Sequence, residues 1–314
     1  GGDMQPTTFT AAAPLLLPTL EQVFSIDALR TSFDRLLVRH YDVIRDESRI
    51  VPGADRIQLT HFRRDIEKHL RGIERKALQG RYTFSPFLGV DIPKAGTKES
   101  RPISIGTIRD TIVQRALYDY LYPRVDPLLT QAVYGYRQGR SAHAAIEAIR
   151  ADTRRGLESI VDVDLTKFFD TVDHGILMAK LDSLGCDARV RKLVFRFLRT
   201  GRVDADAVAA NRTPAPRQLK YSAKLRTVGV PQGGVLSGLL SNLFLADFDK
   251  TVLAKHAGYV RYADDFVILS RGRAAQVQAV VAAQLQALGL TLNPAKTRVL
   301  DARQQAFTFL GFTA

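Results

Sequence analysis

The chain has 314 residues, 46% of them hydrophobic, with 45 Lys+Arg against 32 Asp+Glu for a formal net charge of +13. Such a composition, with no low-complexity block, fits a globular protein with one large core or two lobes, and its positive surface suits a polyanion, nucleic acid first. The single cysteine, Cys186, excludes an intramolecular disulfide framework, the six scattered His residues show no zinc-ligand spacing, and a reducing cytoplasm is the expected location.

Gly1-Gly2-Asp3 reads as an expression scar and residues 1–19 as a flexible N-terminal segment. The stretch from Ala11 to Pro18 is too short and too proline-broken for a membrane span, so no membrane partner is expected. Residues 20–48 and 58–79 read as helices. The second sets Leu59, Phe62, Ile66, Leu70, Ile73 and Leu78 among Arg63, Arg64, Lys68, Arg71, Arg75 and Lys76, a basic side whose plain reading is a solvated face. Phe84 to Ile92 and Arg101 to Ile105 then read as strands, joined by the basic turn Pro93 to Lys98, a plausible phosphate-contacting hairpin. A helix is expected from Ile108 to Leu121. Past Tyr134-Gly135-Tyr136-Arg137, Ser141 is placed to cap a helix from Ala142 to Arg154.

The next segment runs Ile160-Val161-Asp162-Val163-Asp164-Leu165, with Phe168, Phe169 and Asp170 beyond it. Ile160, Asp162 and Asp164 alternate with Val161, Val163 and Leu165 at strand period, and the polar positions are all acidic. Carboxylates gathered at a strand end call for a metal or a basic partner, because an isolated buried carboxylate costs several kcal/mol. Helices follow from His174 to Leu184 and from Ala188 to Arg199. The latter is rich in arginine, and contact with nucleic acid or solvent weighs above a membrane surface. Residues 200–228 read as an irregular insertion or hairpin. The loop Gly229 to Gly238, containing Pro231-Gln232-Gly233-Gly234, lets a ligand approach the backbone closely and enters an apolar helix from Leu239 to Leu253.

Tyr262-Ala263-Asp264-Asp265 lies between Gly258-Tyr259-Val260 and Phe266-Val267-Ile268-Leu269, which predicts a hairpin with acids at its tip. Alone, Asp264 and Asp265 also fit plain turn formers. With Asp164 they form a set suited to Mg²⁺, which takes a few carboxylates and leaves other positions to water and substrate phosphates. Two such ions about 3.5–4 Å apart serve phosphoryl transfer. A helix over 274–288 stopped by Gly289, a strand near Thr297 to Leu300 and a hairpin at Phe307 to Phe312 close the chain. The order of these elements is a split βαβ arrangement, with carboxylates from separate strands meeting on one sheet.

From about residue 40 onward the chain resembles the reverse transcriptases, within them the bacterial group II intron type. The matching blocks are Arg81 to Lys94, Arg101-Pro102-Ile103, Thr107 to Leu117, Tyr134 to Ser141, Asp164 to His174, Pro231 to Gly234, Tyr262 to Asp265, Gly289 to Thr297 and Phe309 to Phe312. Relatives of this type include intron maturases, reverse transcriptases joined to CRISPR adaptation proteins, and phage-defence reverse transcriptases.

The resemblance implies an α+β right hand of fingers and palm, the palm a split βαβ antiparallel sheet with helices on one face and the thumb missing. Residues 20–125 would be fingers and 126–314 palm, with further fingers elements at 142–155 and the insertion at about 200–228. It implies an RNA-directed DNA polymerase that extends a DNA or RNA primer on an RNA template with dNTPs. Asp164, Asp264 and Asp265, with the Leu165 backbone, would hold two Mg²⁺ ions, Mn²⁺ being the alternative. Asp162 is read as structural. Lys94 and Arg101 match triphosphate-gripping positions, Phe169 the aromatic gate against a ribose 2′-hydroxyl, Gln232 a nucleotide contact and Lys296 an aid to pyrophosphate departure. Tyr262, Phe309, Leu310, Gly311, Arg137 and Arg140 would serve primer and template. A plain core aromatic remains the other reading of Phe169. Gly238 and Val235 depart from prolines common in intron-encoded relatives, which puts the setting of the loop beside Gln232 in question. A fused or associated C-terminal domain or CRISPR or defence protein is a further expected partner. An RNA-dependent RNA polymerase and a non-catalytic RNA-binding module are the readings from other classes.

Overall fold

The expected first helix breaks where its polar residues can cap. In the computed structural model, which describes residues 16–96, 98–210 and 223–313, Thr19 closes a capping box with Gln22 at α1 (Leu20–Val23). Ser25 caps α2 (Ile26–Arg39) by accepting from the Ala28 amide. The chain then leaves the helix for a hairpin of β1 (Tyr41–Asp42) and β2 (Glu47–Ser48), so the expected helix does not reach residue 48. Asp42 accepts from the Ile44 and Arg45 amides, a local bond that competes with helix. The stretch 58–79 is also two helices, α3 (Leu59–Arg64) and α4 (Ile66–Leu78), parted at Asp65, where φ is −109° and ψ 25°. Residues 1–15 and 211–222, which hold most of the expected N-terminal segment and part of the expected insertion, lie outside the described residues.

β3 (Phe87–Pro93) and β4 (Ser100–Ile105) pair antiparallel, with Ile92 opposite Arg101. α5 (Ile108–Val125) is capped by Thr107 and runs four residues past Leu121. Ser141 caps α6 (Ala142–Arg154), as its position predicts. After β5 (Ser159–Val163) come the short α7 (Phe168–Thr171), α8 (His174–Asp182) and α9 (Ala188–Arg199). Several α9 arginines are engaged with protein rather than free for nucleic acid. Arg189 pairs with Asp187 and Glu21, Arg191 with Asp182, and Arg196 donates to the Gly80 and Tyr82 carbonyls.

The start of the stretch read as irregular is ordered. β6 (Arg202–Asp204) joins β3 in parallel and leads into α10 (Ala205–Ala209). So short a strand carries too little alternation to register as a period. α11 (Val235–Lys255) starts four residues before Leu239, and β7 (Gly258–Tyr262), β8 (Asp265–Ser270) and α12 (Ala274–Ala287) follow. Gly289, at φ 72°, stands just past the end of α12. β9 (Arg298–Asp301), β10 (Thr308–Phe309) and β11 (Phe312–Thr313) complete the order.

The central sheet runs β7-β8-β5-β9, antiparallel throughout. Alternation sorts its two faces. Val161, Val163, Tyr259, Phe266 and Ile268 join the large core with α5, α8, α9, α11 and α12. Ile160, Val260, Val267 and Leu269 pack against α6 and against Phe307 and Phe309. This second face is apolar only at one end; further along β5 the same side presents Asp162 and then Asp164. The fold is α+β, with the acids gathered at one end of the central sheet. Among the described residues no helix is long and apolar enough to cross a membrane.

Candidate active site

Register brings the acids together. Asp162 pairs with Val267 and Val163 with Phe266 across β5 and β8, so the next step of the ladder sets Asp164 opposite Asp265. Directly opposed residues in an antiparallel pair have Cα atoms about 4.5–5.5 Å apart. Tyr262 pairs with Asp265 to close the β7–β8 hairpin, leaving Ala263 and Asp264 as its two-residue loop, with Ala263 at φ 58°. That positive φ is usually left to glycine, and such strain persists only where neighbours fix it.

The neighbours that fix it begin with a buried arginine. Arg261, fully buried on β7, meets fully buried Asp249 of α11 through Nε and Nη2 at 2.8 and 2.6 Å. Its remaining Nη1 donates to Asn242 Oδ1 at 3.0 Å and to the carbonyl of Ala263 at 2.8 Å. The guanidinium therefore holds the Ala263-Asp264 turn by its backbone. Tyr259 adds a hydroxyl to Asp249 at 2.6 Å. Asn242 turns its amide to the Gly135 carbonyl at 2.9 Å, and the segment 132–134 bonds to Arg261 as an added parallel strand. Gly135 has to be glycine, because a Cβ there would come within 2.4 Å of the Ala263 nitrogen.

Electrostatics show what the acids lack. Burial first, then the charges of Asp264, Asp164 and Asp162, push the Asp265 carboxyl up to about 7. Burial, followed by the Asp164 charge, also raises Asp264. Arg101 lies close enough to lower both, but less than burial raises them. Burial raises Asp162 as well, but there Arg298, bonded at 2.6 Å, supplies a counter-charge that works against the rise. The unmet need for positive charge at Asp264 and Asp265, which lie beside Asp164, fits a hard divalent cation. Among the described residues no group of three or more His, Cys, Asp or Glu side chains is arranged to hold a metal ion, so the three carboxylates as placed are not a ready-made cage. A cavity of about 420 Å³ opens beside the acids, lined by Asp164, Asp265, Lys296, Arg298, Phe309 and Leu310 among others.

The other expected residues distribute around this centre. Phe169 sits on α7, its ring 5.3 Å edge-on from Phe168, and it is only partly buried against the core. The loop before α11 lies across its backbone. Val230 N donates to the Phe169 carbonyl at 2.7 Å, and Gly229, at φ 84°, would bring a Cβ within 2.8 Å of that oxygen. Gln232 is held by its carbonyl, which accepts from the Ser104 amide of β4 at 2.9 Å, so one loop ties the β3–β4 hairpin to the sheet. Lys94 reaches Glu99 at 2.9 Å and Lys296 reaches the same oxygen at 3.4 Å. The Leu165 backbone bridges to Leu292. Leu310 and Gly311 form the tip of the β10–β11 hairpin, at φ 54° and 78°, with Phe309 buried beneath.

Arg137 and Arg140 turn toward protein. Arg137, its side chain only 11% exposed, is bonded to Asp126 and to the Thr130 and Val133 carbonyls, and Arg140 donates to the Gln131 carbonyl and covers Tyr134. Arg261, Asp249 and Asn242, which hold the turn carrying Asp264, are residues that sequence reasoning passed over. Their signal was present, since a charge inside the apolar strand Gly258 to Tyr262 and another inside apolar α11 must find each other if both are buried.

The chain is similar to several known proteins. Residues 92–314 match the family model described as reverse transcriptase (RNA-dependent DNA polymerase). Protein YkfC of Escherichia coli (strain K12) is 30% identical over 301 residues, covering 83% of this chain and 74% of its own length. Group II intron-encoded protein LtrA of Lactococcus lactis subsp. cremoris is 28% identical, covering 60% of this chain and 28% of its own. Apo telomerase from Candida tropicalis, truncated from the C-terminal domain, shares the fold with a TM-score of 0.54 at 12% identity, covering 73% of this chain and 53% of that one. The chain thus spans only part of each of these proteins.

Proposed function

The chain belongs to the reverse transcriptase family, and from that premise we propose that it extends a primer 3′-hydroxyl with deoxynucleotides on an RNA template. The observation that carries this reading is the β5–β8 register, which faces Asp164 toward Asp265 beside the Asp264 turn. The attacking oxygen and the α-phosphate meet at these carboxylates, and pyrophosphate leaves toward the cationic side chains.

Asp164, Asp264 and Asp265, with the Leu165 backbone, would hold Mg²⁺ or Mn²⁺. Bound there, two such ions would stabilise the attacking and leaving oxygens. Arg101 and Lys94 bind the triphosphate by charge-assisted hydrogen bonds, displacing Glu99 from Lys94. Lys296, on the same Glu99 oxygen, is placed to neutralise the departing pyrophosphate. Phe169 crowds the position of a ribose 2′-hydroxyl, and its carbonyl is pinned by Val230, so the ring cannot retreat freely. Gln232 contacts the incoming nucleotide from a loop anchored on β4. Tyr262 and the tip at Phe309, Leu310 and Gly311 support the primer end. Arg137 and Arg140 act indirectly, by shaping the loop beside the template.

Incorporation of dNTPs and of rNTPs on a primed RNA template tests the reading. Deoxynucleotide extension is expected, with ribonucleotides strongly disfavoured until Phe169→Ala relaxes the choice. Preferred ribonucleotide incorporation by the unaltered protein would make it an RNA-dependent RNA polymerase, and binding without extension a non-catalytic RNA-binding module. A role in intron mobility, CRISPR adaptation or phage defence, with the partners each implies, is the pathway-level extension of this reading. Co-purification of the full open reading frame's product with the products of neighbouring genes tests it.

A further inference from the structure

His174 is buried and is not among the side chains that line the cavity beside the acids. It is the first residue of α8, whose start is fixed by Asp173, the carboxylate accepting from the Ile176 amide at 2.8 Å. From there the imidazole Nε2 meets the Gly229 carbonyl at 2.7 Å, across 55 residues of chain. A carbonyl oxygen only accepts, so Nε2 carries the hydrogen and donates it.

The consequence lies in the peptide that this bond grips. The Gly229 carbonyl and the Val230 N–H belong to one planar trans peptide and point to opposite sides of it. His174 holds the carbonyl end, and the N–H end donates to the Phe169 carbonyl at 2.7 Å. The Gly229 N–H donates in turn to the Val172 carbonyl at 2.8 Å. Three bonds thus tie residues 169–174 to residues 229–230, and Phe169 is held by one of them.

Glycine at 229 makes the histidine matter. Gly229 stands at φ 84° and packs against the Phe169 and Asp170 backbone, where a Cβ would come within 2.8–2.9 Å. A residue without a Cβ moves between backbone conformations at little steric cost, so the peptide that follows it can turn over. Turning it over would withdraw the Val230 N–H from Phe169. The bond from His174 opposes that motion, because the same turn would leave a buried carbonyl without its donor.

Resting on the polymerase reading, we propose that His174 is a positioning residue for sugar selection, which locks the Gly229–Val230 peptide and, through it, the Phe169 backbone that aims the ring at the ribose 2′ position. It acts only through Phe169. Its loss should therefore change the choice between nucleotides more than the rate with the preferred one.

Two readouts on the whole chain test this. In the first, kcat/KM is measured with a dNTP and with the matching rNTP on a primed RNA template. The amide nitrogen of His174→Gln can stand where Nε2 stands and donate in its place, whereas that of His174→Asn is one methylene short. The Asn variant should lower the preference for the dNTP about tenfold, the scale of one lost hydrogen bond, and the Gln variant should stay near the parent. In a Phe169→Ala background the Asn change should add nothing to the loss of preference. The second readout needs no nucleotide: the Val230 amide should be protected from hydrogen exchange in the parent and in His174→Gln, and exchange faster in His174→Asn. The proposal is overturned if His174→Asn lowers dNTP and rNTP use equally, as a merely structural residue would, or if it costs as much preference without the Phe169 ring as with it. Should that variant not fold, exchange of the parent's Val230 amide at the rate of an open peptide would overturn the proposal alone. Failure of the parent to extend any primer would overturn the polymerase reading instead, while the exchange result would still report on the lock.

Discussion

The turn that carries Asp264 and the hairpin that carries Lys94 and Arg101 serve one site but are held in opposite ways. The turn is fixed from beneath by Arg261, Asp249 and Asn242, all fully buried. The hairpin ends in exposed side chains, with Lys94 and Lys296 sharing the exposed carboxylate of Glu99. Buried pairs are costly to break, whereas exposed pairs contribute about 0–1 kcal/mol and are readily exchanged for another anion. On the proposed polymerase reading the difference suits two tasks, because catalytic carboxylates would have to keep one geometry through every cycle and a triphosphate grip would have to open and close.

The largest expected effect breaks the turn's chemistry without breaking its fold. Asp264→Asn should lower extension about a thousandfold or more, as loss of several kcal/mol of charge stabilisation implies. Its melting temperature and its affinity for primed RNA should stay near the parent's. Next comes the foundation. Arg261→Leu leaves Asp249 buried without its counter-charge and should cost about 3–5 kcal/mol in denaturant unfolding. Adding Asp249→Leu should return much of that stability, because a buried pair replaced by apolar groups is often neutral. Extension should not return with it, since the Ala263 carbonyl still lacks its donor. Recovery of activity along with stability would show that Arg261 only holds the core together.

On the exposed side the effects shrink. Lys94→Ala should raise the KM for dNTPs about tenfold, the size of one charge-assisted bond, with no change in melting temperature. The smallest effect belongs to Glu99→Gln, which removes the carboxylate charge that Lys94 and Lys296 share. It should move unfolding by less than about 0.5 kcal/mol and lower the dNTP KM modestly. A large loss of stability in either variant would show the hairpin to be as firmly built as the turn.

The acidic strand and hairpin were legible because each pairs a strong period with a break in it: Asp162 and Asp164 interrupt an apolar strand, and Asp264 and Asp265 interrupt two. The α6 start at Ser141 and the α12 stop at Gly289 were legible because capping is local chemistry. What escaped depends on distant partners. Whether Arg261 faces solvent or Asp249 is decided by the packing of α11 on the sheet, and β6 exists only because β3 offers an edge. The division of residues 20–48 turned on Ser25 and Asp42, whose side chains bond the backbone in ways a hydrophobic period does not record. The Tyr136 ring lying against Gly238, a position where intron-encoded relatives commonly have proline, likewise joins segments distant in the chain.

Primer extension on an RNA template, run with the parent chain and Asp264→Asn side by side, tests the central claim most directly. Deoxynucleotide extension by the parent, absent in a variant that still binds the primed template, is the expected result. Extension that survives Asp264→Asn would contradict the assignment of these carboxylates as the catalytic centre.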